Sequence, residues 1–256
     1  MNITTGIQRH TAILKQLEER DSVDVQSLCE VLNVSAVTIR KDLKLLEDKG
    51  LLFRTHGGAS RINPYIRDRN VQEKALLFAP EKEKIAAAAA GLIVENDSVV
   101  IASGTSMVAL ARAIVPKESL TVITSALNVA LELMSNRDIH VIQLCGKIRQ
   151  SSASVIGQEA IEFLKNVACS KVFLGADGID LDFGVTTTSL DEAHLNRQMI
   201  QSSEETIVLV DSSKFSRKGF GKICDFELVS KIITDSRIPD KVVSRLEEMG
   251  VEVIVV

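Results

Sequence analysis

The sequence predicts an α/β protein, with a largely parallel sheet covered by helices and a small helical domain before it. Three observations predict this. An amphipathic helix with a basic outer face lies near the N-terminus, a proline-containing, arginine-rich stretch follows it, and beyond residue 74 short β-branched runs alternate with helical segments.

Taken in order, residues 5–20 read as an amphipathic helix with Ile7, Ile13, Leu14 and Leu17 inward. Val25, Leu28, Cys29 and Leu32 form a shorter apolar stripe, and Asn33-Val34 breaks it. A further helix starts at Ser35, a good N-cap; it carries Ile39, Leu43 and Leu46 on its buried side and stops at Gly50, where a C-cap is wanted. Its outward residues are Thr38, Arg40, Lys41 and Lys44, polar and cationic side chains suited to base edges and phosphates. This is a helix-turn-helix pattern. After Gly50, Leu51, Phe53 and Thr55 alternate with Leu52, Arg54 and His56, and Gly57-Gly58 supplies a turn, so a two-stranded wing is expected. Arg54 and His56 would follow a phosphate backbone, and the paired glycines would let backbone N–H groups approach phosphate. An Arg-Lys pair alone fits a solvated face, and a Gly-Gly pair alone fits a turn. Their joint order, with Ser35 and Thr38 at the helix start, predicts a contact with double-stranded DNA.

The 256 residues are 45% hydrophobic, enough for one or two domains with a sizeable core. No apolar run of membrane-spanning length and no signal-peptide pattern is present, so a cytoplasmic protein without a membrane partner is expected. Cys29, Cys145, Cys169 and Cys224 are scattered among apolar neighbours and read as buried hydrophobes, and neither a metal nor a cofactor is expected. The net charge of −4 is unevenly spread: residues 35–61 carry about +3 and everything beyond about −5.

Residues 60–73 read as a linker, where Asn63-Pro64 breaks regular structure amid Arg61, Arg67, Asp68 and Arg69. The expected domains are therefore 1–59 and 74–256. Pro80 opens a helix whose five alanines, 86–90, give it a small face. Strands are expected at 99–102, 120–124, 139–144, 171–176, 206–211, 231–234 and 251–255, mostly separated by helices. Such alternation requires crossovers and hence a parallel sheet, whose ligands bind beyond the carboxyl ends of the strands. There the polar residues gather. Ser103, Gly104, Thr105 and Ser106 open a helix and look like a phosphate cradle. Thr124 and Ser125 lead to Asn128, and Gly146-Lys147 leads to Arg149. Asp177, beside Gly178, would accept hydrogen bonds from sugar hydroxyls, whereas Asp180 reads as a turn residue. Lys214, three residues past a strand end, is a point charge for a phosphate.

Val34-Ser35, Thr38-Ile39-Arg40, Asp42-Leu43 and His56-Gly57-Gly58-Ala59 resemble the N-terminal signature of the DeoR family of bacterial transcriptional regulators. The resemblance implies a winged helix-turn-helix fused to a sugar-phosphate-sensing domain, here about 74–235, that is similar to ribose-5-phosphate isomerase. It implies effector contacts at Ser103 to Ser106, Thr124, Ser125, Asn128, Gly146, Arg149, Asp177, Gly178 and Lys214. Three positions depart from the family pattern: Ala102, Ser125 and Cys145 stand where aspartate, asparagine and glycine are usual. The implied partners are an operator duplex, a phosphorylated sugar and further copies of the chain, as dimer or tetramer. Repression relieved by metabolite is the expected polarity. The alternative is a sugar-phosphate isomerase or deaminase with a DNA-binding module and Asp177 as base. However, the glycine-rich lysine and glutamate segment of the isomerases is absent, the chain continuing Phe183-Gly184-Val185-Thr186-Thr187-Thr188, so no enzyme is expected. A dinucleotide site lacks its glycine spacing.

Overall fold

The computed structural model describes residues 5–20, 22–55, 57–61, 70–115 and 118–256. They form two compact units, 1–67 and 68–256.

The N-terminal unit contains α1 (Gly6–Arg20), β1 (Ser22–Asp24), α2 (Val25–Leu32), α3 (Ala36–Asp48), β2 (Phe53–Thr55) and β3 (Gly58–Ser60). Its core joins Ile13 and Leu17 of α1, Leu28 and Leu32 of α2, and Ile39, Leu43 and Leu46 of α3 to Leu52 and Ala59. Ile7, expected inward, is 81% exposed. At 3.6 residues per turn it lies about 100° around the helix from the Ile13–Leu17 face. Asp24 accepts from the Ser27 N–H at 2.7 Å, and Ser35 accepts from the Thr38 N–H at 3.3 Å. The α3 helix ends in a Schellman turn: Gly50, at φ +69°, donates to the Glu47 carbonyl at 2.8 Å, and Leu51 donates to Leu46 at 3.0 Å. The wing has three strands rather than two, in the order β1-β3-β2 and antiparallel throughout. A three-residue strand is too short to show alternation in sequence.

Buried Asp42 ties α3 to α1, accepting from Arg9 Nε at 2.8 Å and Arg9 Nη2 at 3.1 Å, with His10 Nε2 at 3.0 Å. Burial pushes its carboxyl up, but hydrogen bonds and charge from Arg9 and His10 more than offset this and hold it below 3.8. A depressed carboxyl stabilises the fold above its unfolded pKa, and that contribution disappears as pH falls through the folded one. Asp42→Asn is therefore expected to destabilise this unit at pH 7 by roughly 1–1.5 kcal/mol. The gap to the parent should narrow as pH falls below 3.8, as read by amide hydrogen exchange in α1 and α3.

The second unit runs α4 (Val71–Leu76), α5 (Ala79–Ala90), β4 (Ser98–Ile101), α6 (Thr105–Ala113), β5 (Leu120–Thr124), α7 (Leu127–Leu133) and β6 (Ile139–Gln143). It continues with β7 (Lys147–Arg149), β8 (Ser154–Ile156), α8 (Gln158–Leu164), β9 (Cys169–Leu174), β10 (Gly178–Asp180), β11 (Gly184–Thr187) and α9 (Leu190–Gln201). It closes with β12 (Ser203–Leu209), β13 (Gly221–Cys224), β14 (Lys231–Thr234), α10 (Asp240–Glu248) and β15 (Glu252–Val255). The seven expected strands make one sheet, β15-β14-β12-β9-β4-β5-β6, parallel at every pairing. One face packs Ile85, Ala89, Met107, Leu110 and Val129 from α5, α6 and α7. The other packs Ala160, Leu164, Met199, Val242 and Leu246 from α8, α9 and α10. From β4 the chain proceeds outward through β5 and β6, then returns to β9 on the other side of β4. That reversal leaves a crevice at the carboxyl ends of β4 and β9.

Two features were not expected: the antiparallel β7–β8 hairpin and the small sheet β10-β11-β13. Their strands are three or four residues long and lie among turn residues. Regular structure also enters both ends of the expected linker. Ser60 closes β3, and α4 begins at Val71, capped by Asn70, which accepts from the Gln72 N–H at 3.0 Å. Arg67, Asp68, Arg69 and Asn63-Pro64 lie outside the described residues. Cys169 and Cys224 are buried, Cys29 is half-buried, and Cys145 is exposed, against expectation. Burial pushes the Cys224 thiol up to about 12. Among the described residues no helix is long and apolar enough to cross a membrane.

Candidate functional site

In the N-terminal unit, α3 presents Arg40, Lys41 and Lys44 to solvent, while Thr38 is half-buried. The Ser35 and Thr38 hydroxyls share a hydrogen bond of 3.0 Å, so both are engaged at the helix start. Arg54 is exposed, with its N–H donating to Glu47 at 3.0 Å and its guanidinium 3.7 Å from the same carboxylate, which anchors the wing to α3. His56 lies outside the described residues. The paired glycines differ. Gly57 is exposed and its carbonyl accepts from the Val25 N–H at 2.8 Å. Gly58 is buried inside the sheet, where a Cβ would lie 1.9 Å from the Val23 carbonyl oxygen. Strand packing, rather than an open approach to phosphate, explains glycine at 58.

In the second unit the expected residues converge on the rim at the carboxyl ends of the strands, though not all face it. Gly104, at φ +128°, caps α6, with Ser103 and Thr105 half-buried and Ser106 buried. Ala102 is buried beneath them. Thr124 and Ser125 are also buried: the Thr124 hydroxyl accepts from the Ala126 N–H at 3.0 Å and its carbonyl accepts from Leu144 at 2.9 Å. The Ser125 carbonyl accepts from the Val155 N–H at 2.7 Å, so both residues also hold the loop together from within. Asn128 is half-buried and accepts from the Val129 N–H at 3.0 Å. Gly146, at φ +140°, opens the β7–β8 hairpin; a Cβ there would lie 2.6 Å from the Ile156 carbonyl. That hairpin carries Arg149 to Glu192, 3.0 Å away. Gly178 is buried in β10, where a Cβ would meet the Arg217 carbonyl at 2.5 Å, so it serves close packing and not flexibility. Asp180 ends β10 and accepts from the Asp182 N–H at 3.2 Å, as a turn residue does.

Three residues that sequence reasoning missed complete the rim. Lys74, on α4, donates to Asp177 at 2.8 Å. Lys82, buried on α5, donates to the Lys74 and Leu77 carbonyls at 2.6 Å each and so holds the end of α4. Glu192 is buried between Arg149, the Ser103 hydroxyl at 3.4 Å and the Thr187 hydroxyl at 3.2 Å. The Ser189-x-x-Glu192 spacing is that of a capping box, which would send the carboxylate back to its own helix end. Its backbone N–H does donate to Ser189, at 3.4 Å, but its carboxylate turns to the rim.

The charges are closely matched. Burial pushes Asp177 up, yet the charge and hydrogen bond of Lys74, helped by Lys214 and the Thr188 N–H, hold it down at about 2. Thr187 and Thr188 also donate to it, at 3.1 and 3.3 Å. Burial pulls Lys82 down to about 8, opposed by Asp211 and aided by Lys214 and Lys74. Lys214 sits half-buried in the turn after β12, its ammonium pulled down by burial while Asp177 and Asp211 oppose the shift. Its backbone N–H donates to the Asp211 carbonyl at 3.0 Å, but among the described residues its ammonium has no hydrogen bond or ion pair. Asp177 and Glu192 are thus each paired with a cation, Lys74 and Arg149, while the Lys214 ammonium has no such pair among the described residues. The carboxylates of Asp177 and Glu192 each accept from side-chain hydroxyls, the chemistry that a polyol would use. A carboxyl at about 2 is mismatched to proton abstraction at neutral pH.

Residues 9–65 match the DeoR-like helix-turn-helix domain, and residues 78–236 match the DeoR C-terminal sensor domain. The chain is 36% identical over 257 residues to a protein of Escherichia coli O157:H7 named for repression of the aga operon, covering 99% of this chain and 95% of that one. It is 30% identical over 249 residues to the glycerol-3-phosphate regulon repressor of Escherichia coli K12, covering 96% and 97%. Among solved structures, ribose 5-phosphate isomerase A of Methanocaldococcus jannaschii aligns with 54% of this chain and 55% of that one, at 15% identity and a TM-score of 0.40.

Proposed function

This chain belongs to the DeoR family of transcriptional regulators, and we propose that it represses a sugar-metabolism operon and releases DNA when a phosphorylated sugar occupies the rim of its parallel sheet. It is a regulator and not an enzyme. The N-terminal unit is the reading head, with Arg40, Lys41 and Lys44 on phosphates and base edges. The rim is the effector site, with Ser103 to Ser106 and Lys214 on the phosphate and Asp177, Glu192 and Asn128 toward the sugar. The observation that carries this reading is the half-buried Lys214 ammonium, without a hydrogen-bond partner among the described residues and close enough to Asp177 and Asp211 to feel both charges. The name of the glycerol-3-phosphate regulon repressor supports a phosphorylated polyol as the ligand class.

One reading head buries too little surface for strong operator selectivity, so at least two copies of the chain act together, in the cytoplasm. Effector control is a coupling between two states of that assembly, and each ligand must disfavour the other by the same factor. The Lys74–Asp177 pair offers a route, because α4 has no buried residue and is held by polar contacts, among them Val71 N–H to the Ser151 carbonyl at 2.7 Å. A sugar hydroxyl or phosphate that competes for either partner loosens α4, the first helix after the reading head.

A thermal-shift panel of pentose, hexose and triose phosphates tests the function. At least one is expected to raise the melting temperature, since a ligand that binds only the native state raises the unfolding free energy, and none should be turned over. Release of DNA by the same compound completes the reading. Turnover that disappears in Asp177→Asn would instead assign an enzyme.

A further inference from the structure

We propose that Val37 is a base-reading residue that packs on the C5-methyl group of a thymine in the major groove; this rests on the reading head being the N-terminal unit. An exposed valine is ordinary by itself. Its position is not. Val37 is the second residue of α3 and 61% exposed, and it precedes Arg40, Lys41 and Lys44 by three, four and seven residues, so all four share one face. The opposite face is the buried one, with Ile39, Asp42, Leu43 and Leu46.

The rest of the first turn is already engaged. Ile39 is fully buried, Ala36 and Thr38 are half-buried, and the Thr38 hydroxyl is bonded to Ser35 at 3.0 Å. Val37 is therefore the projecting side chain of the turn that recognition helices direct at base edges. Its exposure gains nothing for folding, and a β-branched residue is a weak helix former. A valine can neither donate nor accept a hydrogen bond. The apolar feature of the major groove is the thymine methyl group, so thymine is what this side chain can select.

The test uses the full chain. A duplex is first selected from a random-sequence library with the parent protein, and each thymine of the selected site is then replaced singly by deoxyuridine, which lacks only the methyl. Parent affinity is expected to fall about fourfold at one thymine of each half-site, the value of one buried methyl group. Val37→Ala, which keeps the helix, should bind the thymine and deoxyuridine duplexes equally at that position. Parent binding that is insensitive to every replacement, or Val37→Ala that keeps the parent's sensitivity, overturns the proposal. So does a Val37→Ala change in oligomeric state in place of the lost sensitivity, which would assign the valine to contact with another copy of the chain. If the parent selects no duplex at all, the reading head itself is wrong and the proposal falls with it, an outcome distinct from selection without a methyl effect.

Discussion

Gly58→Ala is expected to unfold the N-terminal unit and abolish DNA binding, leaving the sheet domain folded and able to bind its effector. The added Cβ would sit 1.9 Å from the Val23 carbonyl oxygen and 2.8 Å from Asp24 Cα. Both are backbone atoms, so no side-chain rotation relieves the clash. Relief requires β1 and β3 to part, which breaks the Ser22–Ser60, Val23–Ala59 and Asp24–Gly58 pairings and uncovers the fully buried Ala59. Overpacking of this kind costs about 3 kcal/mol or more, a large share of what a unit this small commands. Gly57→Ala is the control, since nothing lies within 4 Å of a Cβ there. Hydrogen exchange read along the chain should show protection lost across the first unit for Gly58→Ala alone. If both variants keep the fold and lose DNA equally, close approach of the paired glycines to phosphate is the cause instead.

The second large effect is expected at Lys214. Removing its ammonium in Lys214→Ala deletes a charge-assisted contact worth about 1.5–3 kcal/mol, so effector affinity should fall by roughly one to two decades. The cost to folding should be slight, because burial already disfavours this charge and no hydrogen bond among the described residues is lost. DNA affinity without effector should scarcely change. By linkage, the variant should stay on DNA at effector concentrations that release the parent and let go at higher ones, which a titration of the bound complex measures. An unchanged midpoint would leave the phosphate to the Ser103 to Ser106 cradle alone.

Both predictions depend on features of unequal visibility in the sequence. The seven strands of the main sheet could be located because parallel strands are buried on both faces and read as continuous β-branched runs. The loops at the carboxyl edge could be located because they follow directly on those strands. Thr124 and Ser125 lie at such a strand end, but their burial and their hydrogen bonds to Ala126 and Val155 could not be read from sequence. Glu192 was hidden for a different reason, its local pattern being fully accounted for by a helix cap.

By itself the sequence determined what depends on near neighbours: where α3 begins and ends, which of its faces is buried, that the main sheet is parallel, and which loops reach its carboxyl edge. Periodicity, caps and β-branching act over one or two turns and leave their mark in consecutive residues. Tertiary structure alone decided which charges meet. Lys74 finds Asp177 across 103 positions, and Arg9 finds Asp42 across 33. It also decided that Gly58 faces a neighbouring strand and that the Lys214 ammonium keeps no hydrogen-bonded partner among the described residues. A buried charge is tolerated only where packing brings a counter-charge within about 3–4 Å, and the chain separation of two groups does not encode the distance between them.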